Sequence, residues 1–413
     1  MLRFLTAGES HGPQLTAILD GLPAGIPLTA EHLQRDMERR QQAYGAGGRM
    51  GIEKDRVRIT GGVLGGRTTG APLALHIDNL DHKNWREKDI PPMTIPRPGH
   101  ADLTGAIKYG LRDLRMALER ASARETAARV AVGAACRQLL AQFDIVIGSY
   151  VVSIGDVTAD LPAPDTASAR AVYAARFAAA DASEVRCPDA EAALRMRQLI
   201  WNTMQSKDTI GGVFEVVALG VPPGLGSYVQ WDRRLSSRLM AAVGSIQAVK
   251  GVEIGPAFDN TRLPGTRVHD EIIAVSSPDL NDTPSAPDSP DIAPTVELTR
   301  RTNRAGGLEG GISTGLPIVV RGAMKPISTT LNPLQSVDMA TGEAAATRYE
   351  RSDFCAVPRA AVVAEAMVAY VLADALIEKL GGDSLDEMRS RLPTLRRARL
   401  DQLPVDNTPW RMY

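Results

Sequence analysis

The sequence has 413 residues, 44% of them hydrophobic and 23% charged, close to the globular average; that supports a sizeable core and excludes wholesale disorder. Lys and Arg total 47 against 48 Asp and Glu, a formal net charge of -1, which argues against a nucleic-acid coat or a membrane-surface protein. Aromatic residues are only 4%, too few for single-strand stacking platforms, and just 8 of the basic residues are Lys, so most cations are planar guanidinium forks suited to carboxylates and phosphates.

Residues 2–7 and 14–20 alternate as short strands around a turn. Leu28–Arg40 reads as a helix with Thr29 as its N-cap and Leu33 and Met37 on one face. Val57–Gly70 reads as a strand hairpin broken by two glycine pairs, and 87–99 as a proline-rich loop. Ala101–Gln142 is the longest helical stretch, expected in two or more segments. Phe143–Ile154 is strand-like, residues 157–183 are Ala-rich and uninformative, and Asp189–Met204 is a helix. Gly212–Leu219 is a strand and Arg233–Val249 a helix. A polar, Pro-rich loop spans 276–295, Ala360–Leu380 reads as an amphipathic helix, and a tail follows from Pro404. The rhythm is not that of a parallel sheet, so the expected class is α+β. Cys136, Cys187 and Cys355 form no CxxC pair or zinc spacing, as expected of reduced cytosolic thiols. The first residues show no signal peptide, and no apolar run looks long enough to span a bilayer, so a soluble cytoplasmic protein is expected.

No Walker A motif, no GxGxxG and no HxxxH or HExxH pair occurs. Gly8-Glu9-Ser10-His11-Gly12 matches the GxSxG elbow of serine hydrolases, but only seven residues precede it and no helix is expected to follow. A glycine turn between strands, or a loop bringing Ser10 and His11 to a ligand, are the alternatives. Arg39, Arg40 and Arg49 flank the glycine-rich Tyr44–Gly48 and could clamp an anion, or simply be solvated. Arg97-Pro98-Gly99-His100-Ala101-Asp102 sets a His beside an Arg at a helix start, where the potential is positive. Arg120 and Arg124 lie four apart on one helical face, amid small residues that would admit a flat ligand. The runs Asn303–Gly311 and Met324–Thr330 look built to present amides, hydroxyls and one ammonium to a phosphate. Several separated Gly/Arg/Ser/His clusters suggest a pocket for more than one anionic ligand.

In order along the chain, Gly8–Gly12, Arg97–Asp102 with Lys108-Tyr109-Gly110, Glu119–Ala134, Gln247–Gly255, Asn303–Gly311, Lys325–Thr329 and Arg351–Cys355 resemble chorismate synthase. Each is weak alone, but the ordered set is specific. The resemblance implies a β-α-β sandwich with helices between antiparallel sheets, one domain over 1–403, and a homotetramer; the tail at 404–413 lies outside it. It implies conversion of 5-enolpyruvylshikimate 3-phosphate (EPSP) to chorismate, an anti 1,4-elimination of phosphate that needs reduced FMN. By the same resemblance, Arg120, Ala121, Ser122, Gln247, Ala248, Gly310, Lys325, Pro326, Ile327, Ser328, Thr329 and Arg351 match flavin-contacting positions. Ser10, Arg40, Arg49, Arg97 and Arg124 match or adjoin substrate- and NADP-contacting positions. His11 and His100 look like the family's acid–base histidines, and Asp353 like an acid that helps deprotonate the flavin.

Tyr44-Gly45-Ala46-Gly47 departs from the family's usual YGRG, placing Ala46 where an anion-binding Arg is common. No separate reductase segment is evident, so an external flavin reductase is expected, with NADPH as the alternative reductant. The rival readings are a serine hydrolase using Ser10 and a non-catalytic flavin- or anion-binding protein.

Overall fold

The computed structural model describes residues 1–46, 54–276, 296–350, 352–406 and 408–412. Arg49, Arg351 and residues 277–295 of the Pro-rich loop lie outside the described residues.

Strands β1 (Arg3–Ala7) and β2 (Gln14–Asp20) pair antiparallel from Arg3–Asp20 to Ala7–Thr16. Gly8 turns the chain at φ +107, and a Cβ there would overlap Gln14 O. Helix α1 (Ala30–Gln41) starts where the sequence places it, Thr29 N donating to His32 Nδ1 at 3.1 Å. Strand β3 (Val57–Gly61) pairs not with the rest of its expected hairpin but with β4 (Leu73–Asp78). The glycine pairs instead fold residues 63–68 into a separate two-stranded turn. Leu73, Leu75 and Ile77 then supply the period-2 buried face that holds β4 in the sheet. The first sheet thus runs β1-β2-β4-β3.

The long helical stretch divides into α2 (Asp102–Tyr109), α3 (Arg115–Ala121) and α4 (Thr126–Ala141). Gly110, left-handed at φ 62, ends α2, and extended Ser122 ends α3. Next come β5 (Val146–Ile154), β6 (Val157–Thr158) and α5 (Ala169–Ala182), the last a helix where composition was uninformative. Helix α6 (Ala190–Gln205) is capped by Asp189, which accepts from Glu191 N and Ala192 N. Strand β7 (Gly212–Leu219) and α7 (Leu235–Gly244) follow. The expected helix to Val249 stops at Gly244, because Val249 opens β8 (Val249–Ile254). A ribbon of β9 (Ile272–Ser276) and β10 (Val296–Arg300) precedes β11 (Ile318–Met324). The second sheet runs β8-β11-β7-β5-β6, all antiparallel.

Helix α8 (Val357–Leu380) departs most from its sequence expectation. It is buried on nearly every side rather than amphipathic. Contrary to the sequence reading, it is long and apolar enough to cross a bilayer, but 89% of its most apolar window is buried inside the protein. It packs on β5 and β7 of the second sheet and against α4, which rests on β2 and β4 of the first. Glu365 lies on this helix and is 1% exposed. It is the centre of a buried ion network, with Oε2 at 2.7 Å from Arg39 Nη1 and 2.6 Å from Arg137 Nη1. Arg39 Nη2 donates to Oε1 at 2.8 Å, as does Ser149 Oγ at 2.5 Å. Burial would raise this carboxyl, but Arg39, Arg137 and Arg186 prevail and hold it at about 2. The mixed α and β architecture expected from the sequence is therefore present.

Candidate active site

A cavity of about 630 Å³ opens where the turns and element ends of this frame converge. The β1–β2 turn brings Ser10 and His11, the end of α1 brings Arg40, and the loop before α2 brings Arg97 and His100. The α3–α4 junction adds Ala121, Ser122 and Arg124; the α7–β8 turn adds Gln247 and Ala248. Lys325, Ile327, Ser328 and Thr329 follow β11, and Asp353 precedes α8. Residues up to 343 apart in sequence are thus brought to one cavity, and its volume lies within the range of small-molecule sites.

Four expected residues do not line it. Pro326 sits between lining neighbours. Ala46 follows Gly45, whose carbonyl accepts from Phe354 N at 2.9 Å, next to Asp353 in the chain. Arg120 turns into an adjoining cleft, donating to Thr6 O at 2.9 Å and Thr6 Oγ1 at 2.8 Å. Gly310, at φ +58, forms the tight turn between Glu309 and Ile312 beside Tyr228.

Each cavity histidine leans on a carboxylate that the sequence reading did not single out. His11 Nδ1 lies 2.7 Å from Glu119 Oε1, and His11 N donates to Glu119 Oε2 at 2.8 Å. The imidazole stacks on Trp85 with ring centroids 4.0 Å apart. Burial would raise the Glu119 carboxyl, but the His11 hydrogen bonds and charge outweigh it and hold it low. It therefore accepts at both oxygens, and Nδ1 carries the proton. His100 Nδ1 lies 2.6 Å from Asp102 Oδ1. Arg97 grips the same carboxylate with Nε at 2.8 Å and Nη2 at 3.0 Å, and donates from Nη1 to Thr329 Oγ1 at 3.1 Å. Burial works against the Asp102 charge too, but His100 and Arg97 keep it well below the usual carboxylate range. Asp102 was within reach of sequence reasoning, two residues from His100; Glu119 is 108 residues from His11 and gave no local signal.

Asp55, fully buried, joins two more cavity cations: it accepts from Arg40 Nη1 at 2.9 Å and from Arg124 Nη1. Burial, with Arg124 and Arg359 close by, brings Arg40 down to about 10. Arg359, from the first turn of α8, was also missed. Its Nη1 donates to Asp353 Oδ2 at 2.7 Å, while its Nε and Nη2 are buried with no partner among the described residues. Gln247 Oε1 is likewise buried and unpartnered among them. Unmet guanidinium donors and an unmet amide acceptor around one cavity fit a ligand with both anionic and N–H groups, as a flavin mononucleotide has. Ala248 is left-handed at φ 66, a strain of about 1–2 kcal/mol for a non-glycine residue. Its carbonyl accepts from Lys325 N at 3.0 Å, which ties the α7–β8 turn to the end of β11.

The hydrolase reading fails on context. Ser10 lies on a turn between two strands, not between a strand and a helix, and its Oγ accepts from Ser122 Oγ at 3.1 Å.

Comparison with known proteins agrees with this geometry. The chorismate synthase family model matches residues 2–377. The chain is 53% identical over 397 residues to the chorismate synthase of Trichlorobacter lovleyi, covering 94% of this chain and 97% of that protein. It is 50% identical over 408 residues to that of Chlorobaculum tepidum, covering 96% and 98%. A crystal structure of a chorismate synthase superposes with a TM-score of 0.75 at 43% identity, covering 95% of this chain and 96% of that one. An ordered cavity of paired histidines and arginines, on a chain matched nearly end to end, places this protein in the chorismate synthase family of lyases.

Proposed function

We propose that the chain converts EPSP to chorismate by anti 1,4-elimination of phosphate and a ring proton, with reduced FMN in the same cavity. The observation that carries this reading is the convergence of carboxylate-held His11 and His100 with Arg40, Arg97, Arg124, Arg359 and Lys325. EPSP carries a phosphate and two carboxylates, and FMN adds a second phosphate; guanidinium forks bind such groups in a planar, bidentate way. Bound FMN in its reduced form supplies the transient electron that the elimination uses without net redox change.

The chain's own groups do the rest. Arg40, Arg97 and Arg124, with Ser10 and Arg49, orient the substrate's anions. Ala121, Ser122, Gln247, Ala248, Lys325, Ile327, Ser328 and Thr329, with Arg351, hold the flavin. Arg120, Pro326 and Gly310, which do not line the cavity of one chain, are left out of this set, and so is Ala46. His11 and His100 transfer protons to the departing phosphate and at the flavin, and Asp353 takes one up at its carboxylate. The histidines suit this because imidazole changes charge near neutral pH.

Packing supports the same reading of architecture. α1 and α4 on the first sheet, against α7 and α8 on the second, are the contacts that favour a β-α-β sandwich, and we read residues 1–403 as one domain with a tail at 404–413. A cytoplasmic homotetramer completes the reading. Exposed Ile107, Tyr109, Tyr228 and Trp231 are the candidates for covered surfaces. Reduction of FMN is assigned to an external flavin reductase, with NADPH as the alternative.

The test is an anaerobic assay of phosphate and chorismate from EPSP, first with photoreduced FMN, then with NADPH and oxidised FMN. Product in the first arm is expected. Equal rates with oxidised FMN and no reductant would overturn the flavin requirement. FMN binding with no phosphate release would return the chain to a non-catalytic flavin binder.

A further inference from the structure

We propose that Glu119 is a positioning residue for the reaction: it fixes the tautomer and orientation of His11, and it can do so only as a carboxylate. This rests on the reading of His11 as an acid–base residue.

Glu119 makes two contacts with one residue through two different oxygens. Oε1 meets the His11 Nδ1 at 2.7 Å and Oε2 accepts from the His11 backbone N–H at 2.8 Å. The backbone contact fixes Oε2 as an acceptor whatever the ring does. An ionised carboxylate then has a second acceptor for Nδ1–H, so the ring proton sits at Nδ1 and proton exchange with substrate falls to Nε2. The loop is tied to the same turn of helix again, because Ser10 N donates to Glu119 O at 3.0 Å. Trp85 closes one face of the ring, and His82 Nδ1 lies 2.9 Å from His11 O. The imidazole is therefore held from the side, the face and the backbone.

The two histidines differ electrostatically. Asp102 is gripped by both Nε and Nη2 of Arg97, so a guanidinium already balances its charge, and Arg97 Nη2 lies 3.0 Å from His100 Nδ1. Glu119 is hydrogen-bonded only to His11 among the described contacts of its side chain. Among the described charged groups, Arg115 on α3 is near enough to favour the Glu119 anion, and Glu9 Oε2 on the β1–β2 turn approaches Gly12. The Glu119 carboxylate is thus directed at His11 through both of its oxygens.

A glutamine cannot replace this carboxylate. Its amide oxygen can serve one of the two N–H groups, but its NH2 then faces the other. Either a donor opposes the backbone N–H, or the ring is forced to accept at Nδ1 and protonate at Nε2. Glu119→Gln is expected to lower kcat about 10- to 100-fold while the KM for EPSP stays within about threefold. The pH profile of kcat is expected to change as well, because a neutral amide replaces the carboxylate beside the ring. In a His11→Ala background, itself about 10²–10⁴-fold slow, Glu119→Gln is expected to cost nothing further.

Turnover and a pH profile like those of the parent, in an enzyme where His11→Ala is slow, would overturn the assignment of Glu119 and leave that of His11 standing. A loss in Glu119→Gln that multiplies with the loss in His11→Ala would also overturn it, since Glu119 would then act elsewhere. Ordinary turnover in His11→Ala would remove the underlying reading itself. If Glu119→Gln does not fold, Glu119→Asp enters the same cycle: it keeps the charge but shortens the reach, so a smaller loss in kcat is expected, and none would overturn the proposal.

Discussion

Gly133 of α4 lies directly against Ala366 of α8, so close that a Cβ on the glycine would overlap the alanine's Cα and Cβ. The two helices carry the two sheets, so their spacing is set at this contact. Gly133→Ala gains up to about 1 kcal/mol of helix propensity. It also forces backbone apart, a cost of about 1–3 kcal/mol or more. The thermal midpoint is expected to fall, and an unchanged or raised midpoint in a melting scan would show that the helices can separate freely.

Glu365 makes a pH-dependent contribution. Its folded pKa, about 2, lies below the ordinary 4.5, so the stabilisation is present above pH 4.5 and lost as pH falls towards 2. The shift corresponds to about 3 kcal/mol as an order of magnitude. Glu365→Gln is expected to be clearly less stable than the parent at pH 7, with the gap closing on acidification. Urea melts at pH 7, 4 and 3 measure it; a gap independent of pH would mean the loss is one of packing, not of charge.

Arg359 offers the clearest test of ligand contact outside the residues legible in the sequence. Its Nε and Nη2 have no partner among the described residues, and it lines the cavity. Arg359→Lys keeps the charge but loses the fork. EPSP affinity, titrated with oxidised FMN present so that turnover does not interfere, is expected to weaken tenfold to a hundredfold, the worth of about 1.5–3 kcal/mol in charge-assisted hydrogen bonds. Added salt should change this little, because the group is mostly buried. Equal affinity in the two forms would confine Arg359 to holding Asp353.

Ala248 is held left-handed at φ 66. Ala248→Gly relieves that strain and is expected to leave the midpoint unchanged or stabilise by up to about 1 kcal/mol. Ala248→Val puts a branched side chain into the same conformation and should destabilise by about 2 kcal/mol or more. The two midpoints, read side by side, test whether the turn keeps its backbone; a valine variant as stable as the glycine one would show that it does not.

What the sequence made legible was mostly local. Strands β1, β2 and β7 announce themselves by composition, and α1 and α6 by Thr29 and Asp189 at their starts. The family motifs led to Ser10, His11, Arg97 and His100 before any fold was known, and these do meet in one cavity. Pairings across distance had no such signal. The partner of β3 is set by Leu73, Leu75 and Ile77, which follow the glycine turn that drew attention. The burial of α8 on nearly every side depends on its neighbours, so in sequence it reads as an amphipathic helix. Glu119, Asp55 and Arg359 matter through contacts 108, 69 and 6 residues away, and only the last lies within the reach of a local pattern.

Arg39 and Arg40 are adjacent on the last turn of α1, yet they point to different worlds. Arg39 clamps Glu365 in the middle of the protein, and Arg40 reaches Asp55 and Thr126 at the cavity. Withdrawing Arg40 by tilting the helix would mean tearing Arg39 from a carboxylate buried with three guanidinium groups, a rupture on the scale of unfolding rather than of breathing. This corner of the cavity is therefore an anvil: a substrate strikes it and must fit, while any adaptation to the guest falls to the loops elsewhere around the cavity.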